Sequence, residues 1–220
     1  QIPRVASVLP VGDVRDWLAF GMKLVAPNTL GKPDYMAAME FMRTSPTILQ
    51  DIEHPSVRSK ALSLGIALAE RSAQSGVTWL AESPRLLRAL PAEEWQIKVL
   101  QYGALLAEQD AESTLNYLRR CPDVIGLIGD APQALSRFEN WFKAGMEVLA
   151  YSREGAQTYF AVESQKALAS VEAAMSGVPL RHVARRVKLF VQGLCGTDVT
   201  IAALPDSPAA SPARATVSAD

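Results

Sequence analysis

The sequence predicts an all-α protein built from stacked helix pairs, and three observations carry that expectation. Four glycines, Gly21, Gly65, Gly103 and Gly145, stand in one setting at spacings of 44, 38 and 42 residues. Around them, Trp17, Ala61, Val99 and Trp141 stand four residues before, and Leu24, Leu68, Leu106 and Val148 three residues after. Finally, Trp79, Tyr117 and Tyr159 follow the last three glycines at a constant offset of 14, and Phe41 takes that part in the first copy, six positions late. Self-similarity at a period of about 20–50 residues marks a repeat architecture. The spacing lies nearer the HEAT or armadillo range than that of a tetratricopeptide. The expected fold is a HEAT/TPR-like array of about four helical hairpins, followed by a C-terminal amphipathic helix and a short strand.

The elements follow in chain order. Residues 1–12 read as an N-terminal extension and 13–177 as the helical-repeat domain. The loop from Pro27 to Pro33 accounts for the late Phe41. In the second repeat, Ala61, Leu64 and Leu68 predict a helix over 57–71, and its partner covers 73–82. The third repeat predicts helices over 93–108 and 111–120, with Asp110 as N-cap of the second. The fourth predicts 133–151 and a longer partner over 153–174. Each aromatic is followed by Ser45-Pro46, Ser83-Pro84, Cys121-Pro122 or the degraded Glu163-Ser164. Ser as a cap and Pro at the first helical position suit a helix start. The second helices are therefore expected to stop there, and Leu49, Leu87 and Ile125 to sit in a short third turn. A glycine inside a helix costs about 1 kcal/mol against Ala. The recurrent glycines therefore point to close approach of two helices.

Beyond the repeats, Leu180, Val183, Ala184, Val187, Phe190, Val191 and Leu194 form one apolar stripe at the helical period. Arg181, Arg185, Arg186 and Lys188 stand on the opposite side. Gly193 and Gly196 mark the end of that helix, and residues 197–201 alternate like a short strand. Residues 178–203 are expected to pack on the repeats. Residues 204–220, rich in Pro, Ala and Ser, read as a flexible linker.

The function classes narrow by exclusion. The 220-residue chain carries 22 Lys and Arg against 23 Asp and Glu. A net charge of −1 and a pI of about 6.2 argue against a binder of nucleic acid or anionic membrane. No apolar run reaches the roughly 18 residues that span a bilayer. The first residues show neither a signal peptide nor a starting Met, so the chain is expected to be cytoplasmic and a piece of a longer protein. Cys121 and Cys195 are too few and too far apart for a disulfide framework or a zinc site, and are expected to be reduced, buried thiols. His54 and His182 lack companions at metal-ligand spacing.

No Gly-rich phosphate loop, His-Glu-x-x-His or Gly-x-Ser-x-Gly is present. Glu93-Glu94 fits a helix N-terminus, where carboxylates meet the positive end of the dipole. Glu108, Asp110 and Glu112 read as solvated charges. No catalytic residue, cofactor or metal is expected, and the chain is not expected to be an enzyme. What remains is protein binding. The basic face of Arg181, Arg185, Arg186 and Lys188 is either a solvated helix face or a dock for an acidic partner. No aromatic interleaves it, as a nucleic-acid surface would require. Trp17, Trp79 and Trp141 are in repeat register and belong to the core. Trp95 is not, and joins the basic face as a candidate partner-binding residue. A helical domain that binds a small ligand or catalyses a reaction is the reading from another class.

Gly-x-x-Leu-Ala, then an aromatic, then Ser-Pro-x-x-Leu resembles the helical region of the NorD and CbbO proteins. The stronger match runs from Gln157 through Tyr159-Phe160 to Glu163-Ser164. It continues with Val187 to Gly196, an amphipathic helix ending in Gly-Leu-Cys-Gly. The resemblance covers about Val14 to Ile201. It implies a cytoplasmic partner of a MoxR-type AAA+ ATPase that helps to remodel a target enzyme, such as Rubisco or a nitric oxide reductase. That family carries a C-terminal von Willebrand factor A domain with a metal-dependent site. The Asp-x-Ser-x-Ser motif of that domain is absent from this sequence, so no functional residue of the family transfers to it. A free-standing helical-repeat module with another protein partner is the alternative.

Overall fold

The computed structural model describes residues 5–7, 9–26, 35–129, 132–162, 165, 166, 168 and 169. Eight helices follow one another among them: α1 (Val11–Val25), α2 (Tyr35–Gln50), α3 (Pro55–Arg71) and α4 (Ala73–Arg88), then α5 (Glu93–Ala107), α6 (Ala111–Ile128), α7 (Ala134–Tyr151) and α8 (Arg153–Ala161). The described residues contain no strand. The amphipathic stretch 180–194, the alternating residues 197–201 and the linker 204–220 lie outside the described residues.

Local chemistry sets where the even-numbered helices begin. Ser72, Asp110 and Ser152 each stand seven residues after Gly65, Gly103 and Gly145. All three have extended backbone, with φ near −150°. Each side-chain oxygen accepts from the backbone N–H three residues on: Ser75 at 3.3 Å, Ser113 at 2.8 Å and Gly155 at 3.0 Å. These are N-caps that satisfy an orphan donor of the first turn. Asp110 is therefore a cap, as expected, and is half-buried rather than simply solvated. It also accepts from Gln157 Nε2 of α8 at 3.2 Å. Burial pushes its carboxyl up, but the bonds from Ser113 and Gln157 and the nearby Arg153 bring it below the ordinary value. Pro55 opens α3 at a position where no N–H is needed, and Glu93-Glu94 opens α5.

Packing joins the two helices of each pair and most helices to the next but one. α1 packs on α3 and α3 on α5, while α2, α4, α6 and α8 contact one another in succession. The core lies between these two rows. Trp17, Trp79, Trp141, Tyr117, Tyr159, Phe20 and Phe41 are its largest fully buried side chains. One hydrogen bond recurs across it at a separation of 18 residues. Trp79 Nε1 donates to Ala61 O at 2.9 Å, Tyr117 OH to Val99 O at 3.3 Å, and Tyr159 OH to Trp141 O at 2.9 Å. Each acceptor is the carbonyl four residues before Gly65, Gly103 or Gly145. A helical side chain covers the turn N-terminal to its own Cα, so a glycine leaves that carbonyl accessible. A ring of this size removes about 150–250 Å² from water, worth about 4–6 kcal/mol at ~25 cal/mol/Å². Its hydrogen bond contributes about 1 kcal/mol net. Burial therefore drives the packing, and the bond fixes the register.

The glycines also receive apolar side chains, and this refines the expected close approach of two helices. A Cβ on Gly65 would lie 2.6 Å from the Phe20 ring of α1, and one on Gly145 would lie within the Phe160 ring of α8. Gly103 receives Leu64 of α3 and Leu118 of α6 at 3.1–3.2 Å. A close backbone approach of α3 and α4 is found at one of the four, Gly65, whose carbonyl oxygen would lie 2.8 Å from a Cβ on Gly76. Polar ties recur too, at separations of 37 residues. Ser56 donates to Glu93, Arg71 to Glu108 O, and Arg119 to Glu82 through Nε and Nη2, while Tyr102 donates to Glu139 at the same separation from a different register position.

Three expectations are corrected. Ser45-Pro46, Ser83-Pro84 and Cys121-Pro122 do not start new turns. All three prolines lie inside α2, α4 and α6, which run on to Gln50, Arg88 and Ile128. Leu49, Leu87 and Ile125 are buried in the last turns of those same helices. Pro84 has no N–H for the carbonyl of Leu80, and Ser83 Oγ donates to that carbonyl at 2.9 Å instead. The helix expected over 153–174 ends at Ala161, because Val162 turns extended (φ −67°, ψ 155°). Before α1, Val5 and Leu9 are buried in the core rather than merely preceding it.

Two stability measurements follow. Gly145→Ala forces Phe160 out of its place and is expected to cost about 1–3 kcal/mol by overpacking. Gly126→Ala, in α6 with open space around its Cβ, is expected to gain about 0.5–1 kcal/mol. Urea unfolding of the two variants reads the opposite signs. Asp110→Ala is expected to cost about 1 kcal/mol at neutral pH. The Asp110 carboxyl is held below its ordinary value in the fold. Its contribution is therefore full above about pH 4 and is lost as pH falls further. The difference between the two chains should shrink in acid unfolding curves below that pH.

Candidate protein-binding surface

A cleft of about 550 Å³ opens between α5 and the start of α7, walled by Glu94, Trp95, Lys98, Gln101, Pro132 and Leu135. Its origin lies in side-chain size. In the common register, α7 carries Phe138 and Phe142 where α5 carries Gln96 and Leu100. α5 and α7 therefore meet through rings. Trp95 meets Phe138 edge-on at 5.4 Å and 86°, and Tyr102 stacks on Phe142 at 4.5 Å. Trp95 remains half-buried, with part of the indole on the cleft wall. Leu135 is 46% exposed on the opposite side.

A polar network joins α5 and α7 beside the cleft. Tyr102 OH donates to Glu139 Oε1 at 2.8 Å. Lys98 Nζ lies 3.5 Å from the same oxygen, and Lys143 Nζ lies 3.7 Å from Oε2. Lys98 also stands 5.3 Å over the Tyr102 ring. Burial pushes the Tyr102 phenol up to about 12, helped by the bond to Glu139 and its charge. The Tyr102 bond, followed by the two lysines, holds the Glu139 carboxyl below its ordinary value against some desolvation. The cleft thus combines an aromatic wall, an aliphatic wall and a charge of each sign, which suits a peptide or a partner helix.

Other clusters are less suited to chemistry. Ser56 Oγ and His54 Nδ1, the latter at 3.6 Å, both address Glu93. An activated serine needs the histidine between hydroxyl and carboxylate, whereas here the carboxylate is central. Cys121 is fully buried, and burial pushes its thiol well above the ordinary value, as suits an unreactive thiol. No group of three His, Cys, Asp or Glu among the described residues could hold a metal ion. No helix among them is long and apolar enough to cross a membrane.

Of the residues singled out in the sequence, the structure places Trp95 in the cleft and Trp17, Trp79 and Trp141 in the core. Arg181, Arg185, Arg186, Lys188 and Cys195 lie outside the described residues. Sequence reasoning missed the opposite wall of the cleft and the Tyr102–Glu139 tie. The usable signal was the pair of oversized residues, Phe138 and Phe142, at register positions that are smaller or polar in the preceding copy. Compared with known proteins, the chain matches no family model, no curated protein and no solved structure.

The network is open to a double-mutant cycle. Tyr102→Phe and Glu139→Gln are each expected to cost about 1 kcal/mol. The double variant should cost less than the sum by about 0.5–1.5 kcal/mol, read by urea unfolding.

Proposed function

We propose that this chain is a non-catalytic protein-binding scaffold, an array of four helical hairpins. It serves a NorD/CbbO-like activator that works with a MoxR-type AAA+ ATPase on a target enzyme. The observation that carries the scaffold reading is the recurrence of the same ties along the chain. Three caps stand at one offset from the glycines, three ring-to-carbonyl bonds span 18 residues, and three helix-to-helix bonds between the second and third copies span 37. Stacks of this kind work through extended surfaces rather than enclosed sites. The half-buried Trp95 in an open cleft of mixed character supports a peptide or helix as the ligand. The ATPase partner class rests on the resemblance at residues 157–164 and 187–196.

The test is retention of a purified MoxR-type ATPase, or of its target enzyme, on the immobilised full chain. Retention of either is expected, and Trp95→Ala should weaken it by about 30-fold or more, the size of an interface hot spot. Retention of neither overturns the ATPase assignment. Retention of some other protein through the same Trp95-dependent cleft would support the free-standing module instead.

A further inference from the structure

The first helix pair presents a face that its later counterparts bury. Leu18 and Val25 are 42% exposed and Met22 and Met39 are 68% exposed, with Tyr35 and Met36 beside them. In the common register, Leu18 corresponds to Leu62, Leu100 and Phe142, and Val25 to Ala69, Ala107 and Leu149. All six are buried. Met22 corresponds to Ile66, Ala104 and Met146, which are partly buried against the core. Met39 corresponds to Val77 and Leu115, both buried, and to the half-buried Gln157.

The glycines explain the difference. Phe20 of α1 fills the space at Gly65, and Leu64 of α3 fills the space at Gly103. At Gly21 the nearest atoms belong to Phe41 and Met42 of its own partner helix, no closer than 3.6 Å. The slot becomes a groove of about 570 Å³ lined by Leu18, Gly21, Met22, Val25, Ala38 and Met42. Four of the six methionines of the chain, Met22, Met36, Met39 and Met42, gather at this end. Unbranched thioether side chains adapt to an incoming apolar surface. The groove therefore has the position and lining of an interface for a helix.

We propose that the occupant is the chain's own segment 180–194, docked as a helix with its apolar stripe on the α1–α2 groove. The stripe from Leu180 to Leu194 spans 14 positions, about 21 Å as a helix. The α1 face from Val11 to Val25 spans the same 14 positions. The groove lacks a bulky residue over Gly21, and Phe190 is the one ring in the stripe. Seventeen residues separate Val162 from Leu180, a reach of about 60 Å when extended. Three helix-to-helix steps of about 8–10 Å separate α8 from α2 along the even row. Docked in this way, the segment keeps Arg181, Arg185, Arg186 and Lys188 on its outward side. The assignment is independent of the ATPase reading.

The test uses the full chain with its native Cys195, just past the end of the stripe, and the buried Cys121. Val11→Cys and Val25→Cys place a thiol at either end of the α1 face, and a short bismaleimide joins neighbouring thiols. One of the two variants should form an intrachain cross-link to Cys195, mapped by peptide mass spectrometry and independent of protein concentration. Peroxide oxidation of Met22, Met36 and Met39 should be several-fold faster in Phe190→Asp than in the unaltered chain. Circular dichroism verifies that this variant keeps its helices. Cross-links that join two chains and grow with concentration would give the groove to a second copy and overturn the assignment. Equal oxidation rates with no cross-link would leave the groove open and overturn it as well.

Discussion

The fold depends on a ring that reaches across the core to a helix carbonyl uncovered by glycine. In three successive helix pairs, the acceptor stands four residues before a glycine and the donor 14 residues after it. The glycine has two effects that no other residue combines. It removes the Cβ that would cover the carbonyl of the preceding turn, and it opens a space that a neighbouring side chain fills. Phe20, Leu64 and Phe160 occupy those spaces. About 1 kcal/mol of lost helix propensity is thus offset by several kcal/mol of ring burial and by a satisfied buried donor. The cap at offset seven completes the unit, because it starts the second helix in phase for its ring to reach the carbonyl.

Departures from the unit occur where one of its parts is missing. Phe41 has no donor, and in that copy the tie runs the other way, from Trp17 Nε1 to Ser45 Oγ at 2.8 Å. Trp141 Nε1 is buried with no hydrogen-bond acceptor. Its indole is packed instead among Tyr117, Phe138 and Phe160. The fourth pair therefore adds ring packing to the bond from Tyr159 OH to Trp141 O that sets its register. The same oversized rings account for the cleft between α5 and α7. An irregularity in the packing of α5 on α7 and a candidate binding surface thus have one cause.

The helix starts and the ends of α3, α5 and α7 were legible in the sequence, but the ends of α4, α6 and α8 were not, for a physical reason. A start is announced by local chemistry: Asp110 bonds to Ser113, and Glu93-Glu94 meets the dipole of its own first turn. The end of α4 depends on whether Pro84 breaks the helix, and that is decided by the Ser83 hydroxyl, which satisfies Leu80 O, together with the burial of Leu86 and Leu87. A Ser-Pro pair carries the same local signal in a cap and in a helix interior. The repeat glycines were legible by spacing, but their partner side chains were not, since Phe20 and Leu64 come from the preceding pair. Trp95 stood out because it breaks register. The wall facing it did not, because Pro132 and Leu135 meet it only after the chain has folded.

The two open surfaces differ in what each can hold. The cleft beside Trp95 carries Glu94 and Lys98 among its apolar walls, so water solvates it well when empty. That composition suits a partner that comes and goes. The α1–α2 groove is lined by Leu18, Met22, Val25 and Met42, with glycine and alanine at its floor. Each large apolar side chain fully buried is worth about 1.5–3 kcal/mol. A free partner must first overcome about 4–15 kcal/mol of lost translational and rotational freedom. A segment tethered in the same chain avoids most of that cost, because its effective concentration is set by the linker at about the millimolar level. With equal contacts the tethered segment therefore outcompetes a dilute external helix. An external helix must displace it or bring contacts beyond the groove.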